Sequence, residues 1–171
     1  MSAMPETVPG REAAQPASHA SVLTMLWVWV PAVAWMGMVL LASSDPFSAR
    51  NTAVVLHAVL SWTIGNVDAH TFNLVHVLVR KSAHFTEYAI LSALWFRALR
   101  VHLNSLWRIR WALLGLVISL SVAIVDEWHQ SMVPSRTSSA RDVLLDLTGA
   151  MFAQFLIWYA LRHRELRAAE T

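Results

Sequence analysis

The chain has 171 residues, of which 56% are hydrophobic and only 14% are charged, and its mean hydropathy is +0.47. This composition excludes an ordinary soluble domain and indicates an integral membrane protein. The formal net charge is +2 with scattered basic residues, so no nucleic-acid partner is expected, and the lack of cysteine excludes disulfides and thiolate metal sites.

The N-terminal region combines a polar tail with a first apolar segment. Residues 1–20 are rich in Ala, Pro, Ser and Glu, which predicts a disordered cytoplasmic tail. Residues 22–42 carry no charge and are long enough to cross a membrane core of about 30 Å. Pro31 should kink this span without ending it. A secretory signal cleaved near Ala42 is the alternative, although the apolar run is longer than a typical signal core.

Three further segments have the length and composition of membrane spans, and they cover residues 81–99, 111–128 and 143–161. All four spans are predicted to be helices, because unpaired backbone groups are too costly in lipid and the segments lack the alternation of barrel strands. The expected fold is therefore all-α, an integral membrane four-helix bundle over residues 21–164. Residues 165–171 are expected to form a cytoplasmic tail.

The long connection between the first two spans contains an additional helical pattern. In residues 52–64, Val55, Val59 and Trp62 fall on one helical face. A segment this short cannot span the membrane, so we expect a short interfacial helix in the first outer loop. A re-entrant segment is the alternative.

The distribution of arginine predicts the orientation. Cytoplasmic loops of membrane proteins carry an excess of Lys and Arg. Four arginines lie at the end of the second span or between it and the third, and three follow the fourth, namely Arg97, Arg100, Arg108, Arg110, Arg162, Arg164 and Arg167. Both termini are therefore expected in the cytoplasm, and the connections before the second span and after the third are expected to face outward.

Polar residues gather at the outer ends of the last three spans. They are Lys81, His84, Glu87 and Tyr88 in the second span, Asp126, Glu127 and Gln130 in the third, Asp142 and Asp146 at the start of the fourth, and Arg136 in the loop between. Ionisable groups within spans normally face the bundle interior, so we expect these side chains to converge. Gly149 shares a helical face with Asp146 and should allow a neighbouring helix to come close.

This set has a formal charge of −3 with histidine neutral. Such an excess can be relieved by a protonated carboxyl, by recruitment of Arg80 or Arg141, by charging of His84 or His129, or by a bound cation. A divalent metal site is chemically acceptable here, but no motif with tight zinc spacing is present. We therefore assign no metal and no cofactor from the sequence.

Two stretches carry a family resemblance. "KSAHFTEYAIL" and "DEWHQSMVPSRTSSARDVLLDLTGA" resemble the VanZ-like family of bacterial membrane proteins, and the resemblance covers residues 75–161. It implies a helical domain in the bacterial inner membrane and a link to low-level resistance to the glycopeptide teicoplanin. The motif residues of the family correspond by position to Lys81, His84, Glu87, Tyr88, Asp126, Glu127, Gln130, Arg136, Asp142 and Gly149. Asp146 departs from the family pattern, in which Asn is expected.

Two functional hypotheses follow. The first is binding of a lipid headgroup, a lipid-linked or peptidoglycan-related envelope precursor, or a glycopeptide in an outward-facing polar pocket. The second is a membrane-embedded hydrolase or transferase that uses His84 with Asp126 or Glu127 as acid and base. A structural or proton-coupled role is a third alternative. The candidate catalytic residues are His84, Glu87, Asp126 and Glu127, and the candidate ligand-binding residues are Lys81, Tyr88, Gln130, Arg136, Asp142 and Asp146.

Overall fold

The computed structural model describes residues 19–42, 44, 49–102, 108–132 and 139–169. Within these residues the chain forms five helices and no strand, as expected for an all-α protein. The helices are α1 (His19–Ala42), α2 (Ala49–Thr63), α3 (Ala69–His102), α4 (Ile109–Ser131) and α5 (Ala140–Ala169). Arg136 and most of the predicted N-terminal tail lie outside the described residues.

Three helices in the described part of the chain are long and apolar enough to cross a membrane, over Leu23–Ala42, Ile109–Ser131 and Ala140–Arg164. They correspond to three of the four predicted spans and make this a membrane protein. The second predicted span lies inside α3, whose 34 residues extend for about 51 Å. The predicted span itself contains three charged residues, Lys81, Glu87 and Arg97, which makes it less apolar than the three spans named above.

The helices pack around α3, which contacts α1, α4 and α5, while α4 and α5 also contact each other. One part of the core contains Val39, Tyr88, Leu91 and Val122, all fully or almost fully buried. Small residues such as Ala98 and Ala150 are also fully buried. Small side chains let helix backbones approach closely, which is typical of helix packing in membranes.

The outer surface of the helices is strongly apolar. Trp27 of α1, Val117 of α4 and Phe155 of α5 are 74%, 58% and 55% exposed. Water-soluble monomers rarely expose so much contiguous apolar surface, whereas lipid chains solvate it readily. These faces therefore contact membrane lipid.

The second helix and the start of the third form a helical hairpin. α2 confirms the helix that was predicted over residues 52–64, and Gly65 turns the chain with a positive φ of 87°. Asp68 caps α3, because its Oδ1 accepts a hydrogen bond from the backbone N–H of Thr71 at 3.0 Å. The helix consequently begins twelve residues before the predicted start of the second span.

Candidate functional site

A polar cluster is buried where α3, α4 and α5 meet. We call it the buried cluster, and it consists of His84 and Tyr88 from α3, Asp126 and Gln130 from α4, and Asp146 from α5. Asp126 and Asp146 are only 1% and 0% exposed. One ligand atom each of His84, Asp126 and Asp146 lies within 4.8 Å of the other two. The three helices thus bring together polar residues that are far apart in the sequence.

The contacts inside the buried cluster satisfy only some of its polar atoms. His84 Nδ1 lies 3.3 Å from Asp146 Oδ1, and Gln130 Nε2 donates a hydrogen bond of 2.9 Å to Asp126 Oδ2. Among the described residues, Asp126 Oδ1, Asp146 Oδ2 and the Tyr88 hydroxyl have no hydrogen-bond partner. Unpartnered buried polar atoms are rare in folded proteins and costly, so this concentration of them points to a functional site.

Lys81, which precedes His84 by three residues on α3, lies outside the buried cluster. Lys81 Nζ donates to Asp142 Oδ1 at 3.1 Å, and the two side chains are 50% and 24% exposed. Among the described residues the buried charged side chains are Asp126, Glu127 and Asp146, and no Lys or Arg belongs to that group. The ion pair of Lys81 therefore does not neutralise the carboxylates inside the bundle.

Glu127 has a different environment from Asp126. Its Oε2 accepts a hydrogen bond of 2.7 Å from the backbone N–H of Ser139, immediately before α5 begins. This bond ties the end of α4 to the start of α5. Glu87, the other glutamate of the predicted set, is partly buried, and its backbone carbonyl accepts a bond of 3.0 Å from Trp35 of α1. Neither glutamate belongs to the close group formed by His84, Asp126 and Asp146.

A cleft of about 120 Å³ opens beside the buried cluster. Residues from α3 and α5 line it, and they are His76, Val77, Arg80, Lys81, His84, Asp142 and Leu145. Because His84 lines the cleft and also contacts Asp146, it connects the opening with the buried carboxylates. His76 was not among the site residues predicted from the sequence, although His76, Arg80 and His84 follow one another at the four-residue spacing of one helix face.

His76 also contacts α2, since its Nε2 lies 3.3 Å from Thr52 Oγ1. Partial burial, and to a lesser degree the positive charge of Arg80, lower the pKa of His76 from its ordinary value. Both effects favour the neutral ring. His76 is therefore a neutral hydrogen-bonding group at the rim of the cleft near neutral pH.

Comparison with known protein families gives a match to the VanZ/LLP1 family over residues 28–162, which is most of the chain. The protein belongs to the VanZ/LLP1 family. No curated protein and no solved structure matches it. The family assignment confirms the resemblance noted in the sequence, and the VanZ/LLP1 match includes every residue of the buried cluster and of the cleft.

The VanZ/LLP1 chain brings most of its predicted site residues to one end of the helix bundle. Tyr88, Gln130 and Asp146, which the sequence suggested as ligand-binding residues, lie inside the buried cluster with no more than 1% exposure. Lys81 and Asp142 lie outside it at the mouth of the cleft. Their roles in binding or catalysis remain predictions.

Proposed function

We propose that this membrane protein binds the anionic headgroup of a cell-envelope lipid, or of a lipid-linked envelope precursor, in the cleft between α3 and α5. The observation that carries the proposal is the position of Arg80 and Lys81 at a small cleft on an otherwise lipid-facing bundle. A phosphate group beside two cations accepts charge-assisted hydrogen bonds, while the lipid chains remain against the apolar helix surface.

Lys81 is well suited to exchange partners. Its pairing with Asp142 is solvent-accessible, and accessible ion pairs contribute little to stability. An incoming phosphate oxygen can therefore take the place of the carboxylate at small cost. The cleft volume of about 120 Å³ suits a headgroup fragment and is too small for a whole lipid.

The proposed orientation places the cleft on the outer side of a bacterial inner membrane. α3 then supplies the second of four spans, and both chain termini are cytoplasmic. The support is the set of arginines at the other end of α3 and α5, where Arg97, Arg100 and Arg164 line a separate groove. Positive residues at that end fit the bias of cytoplasmic loops.

The test compares substitutions at the two ends of α3. Lys81→Ala and Arg80→Ala should each weaken binding of undecaprenyl phosphate in detergent by about tenfold, the effect of losing one charge-assisted hydrogen bond of about 1.4 kcal/mol. Arg136→Ala, between α4 and α5 in the sequence, should act in the same direction. Arg97→Ala is the matched control, because it removes the same charge from the same helix at the opposite end.

Native mass spectrometry of the purified variants measures lipid binding. Phosphatidylglycerol is the second probe, and it distinguishes binding of a precursor lipid from binding of a bulk membrane lipid. Cells that express the Lys81 and Arg136 variants should also change in teicoplanin sensitivity. Equal affinity of the wild type, Lys81→Ala and Arg97→Ala for both lipids would exclude the cleft as the binding site.

Catalysis is the second candidate function, and the position of His84 favours it. A histidine that faces a cleft and is oriented by a buried carboxylate has the arrangement of a general base. The nearest carboxylate is Asp146, at 3.3 Å, whereas the sequence suggested Asp126 or Glu127. If the protein hydrolyses or transfers a headgroup, His84→Gln should abolish turnover of an envelope lipid, and His129→Gln, on an exposed face of α4, should leave it unchanged.

A further inference from the structure

We propose that His84, Asp126 and Asp146 form a binding site for one divalent transition-metal cation. The three residues come from three different helices, so such an ion would join α3, α4 and α5 at one point. Of the three residues, only His84 also lines the cleft. The proposal does not depend on headgroup binding, because metal binding can be measured without any lipid substrate.

The spacing of the side chains fits a common ion. Two ligands at about 2.1 Å from a tetrahedral metal are separated from each other by about 3.4 Å. His84 Nδ1 and Asp146 Oδ1 are 3.3 Å apart, and the ligand atom of Asp126 lies within 4.8 Å of both. Coordination by all three residues would require the ligand atom of Asp126 to move closer to the other two.

The unpartnered atoms give independent support. Asp146 is fully buried, its Oδ1 contacts His84, and its Oδ2 has no hydrogen-bond partner among the described residues. Asp126 is 1% exposed, and its Oδ1 is unpartnered in the same part of the chain. Two buried carboxylates without a buried Lys or Arg beside them are strongly unfavourable, and a dication would neutralise both.

The donor set indicates the class of ion. One imidazole nitrogen with two carboxylates suits Zn²⁺, Mn²⁺ or Fe²⁺, whereas Mg²⁺ and Ca²⁺ prefer oxygen donors alone. Gln130 donates to the second oxygen of Asp126 and so holds this carboxylate in place from outside the ligand set. With three protein ligands, the ion would keep an open position for water or for a group that enters past His84.

The experiment measures metal in the purified full-length protein. After incubation with Zn²⁺ or Mn²⁺ and removal of free ions, the wild type should retain about one equivalent, and Asp146→Asn and His84→Gln should retain less than about a tenth of that. Asp142→Asn is the matched control for the aspartate, since Asp142 pairs with Lys81 at the bundle edge. His129→Gln is the control for the histidine. Both controls should retain the full amount.

Two further measurements distinguish loss of the metal site from misfolding of a variant. Added Zn²⁺ should raise the melting temperature of the wild type and of Asp142→Asn but not that of Asp146→Asn. Co²⁺ bound to the wild type should give a visible absorption spectrum typical of nitrogen and oxygen ligands. If the wild type retains no metal and Zn²⁺ does not stabilise it, the proposal is wrong. Equal metal content in Asp146→Asn and Asp142→Asn would also overturn it.

Discussion

At Gly149, α5 packs directly against the backbone of α3 near the site. A Cβ atom added there would lie 3.0 Å from the carbonyl carbon and 3.1 Å from the Cα of Phe85, and it would collide with the carbonyl oxygen. Backbone atoms of a helix cannot move aside as a flexible side chain can. Because Phe85 follows His84 directly, this approach holds the histidine-bearing turn against the helix that carries Asp146.

Gly149→Ala should therefore destabilise the fold by about 1–3 kcal/mol, the usual cost of forcing extra volume into a packed helix contact. Gly37→Ala in α1 is the matched control, since no atom would lie within 4 Å of its new Cβ. Its effect should be neutral or slightly stabilising, because alanine favours helix more than glycine does. Thermal unfolding of both variants in detergent measures the difference, and equal melting temperatures would contradict the close approach.

At the scale of elements, the hairpin of α2 and α3 is held by few contacts. The ring of Phe72 lies 5.5 Å from His57 and 5.9 Å from His76. Thr52 contacts His76, while Val54 and Trp62 on the same short helix are 68% and 87% exposed. The contacts described between α2 and α3 therefore involve Phe72 and His76, which also lines the cleft.

Acidification should loosen α2. The pKa of His76 in the folded protein lies below its ordinary value of 6.5, so the unfolded hairpin binds a proton more readily than the folded one. The stabilising contribution of neutral His76 is present above pH 6.5 and is lost as the pH falls from 6.5 through the folded pKa. Amides of α2 should thus be less protected at about pH 5.5 than at about pH 7.5 in hydrogen exchange, after correction for intrinsic rates.

His76→Asn should remove this pH dependence. His70→Asn is the control, because His70 lies on the same helix with an exposed side chain. Should the two variants show the same loss of protection on acidification, another group would have to control the α2 contact.

At the scale of the whole molecule, the two ends of the bundle differ in charge. Buried carboxylates and the small cleft lie at one end of α3 and α5, and three arginines line a groove at the other. The surface between them is apolar. This arrangement of charged ends and an apolar middle follows from the cost of charge in lipid, which confines ionisable side chains to the ends of helices or to their shared interior.

The proposed orientation can be tested by cysteine labelling, because the natural chain contains no cysteine. Asn73→Cys and Ala140→Cys, both at exposed positions, should react with a membrane-impermeant maleimide in cells whose inner membrane is intact. Arg167→Cys, near the end of α5, should react only after that membrane is permeabilised. Labelling of Asn73→Cys and Ala140→Cys from opposite sides would rule out a common outer face for the cleft.

The sequence alone determined the membrane class, the helical nature of the apolar segments and the family, because length, hydropathy and motif spacing are local properties. It also led to the expectation that the polar residues converge in the interior, since lipid excludes charge; Asp126, Gln130 and Asp146 are buried, whereas Lys81 is half-exposed. The start of α3 differs from the predicted start of the second span, because a span is predicted from apolar composition, whereas the helix begins at the cap that Asp68 provides. That cap was visible in the sequence but lies outside the apolar run.

Only the tertiary structure decided which polar groups meet. Helical periodicity gives the direction of a side chain around its own axis, but the depth and rotation of one helix against another depend on packing such as that of Gly149 on Phe85. That packing brings Asp146 to His84 and Lys81 to Asp142. It leaves one oxygen of Glu127 bonded to the backbone of Ser139. A shift of one residue along either helix would rotate these side chains by about 100° and separate them.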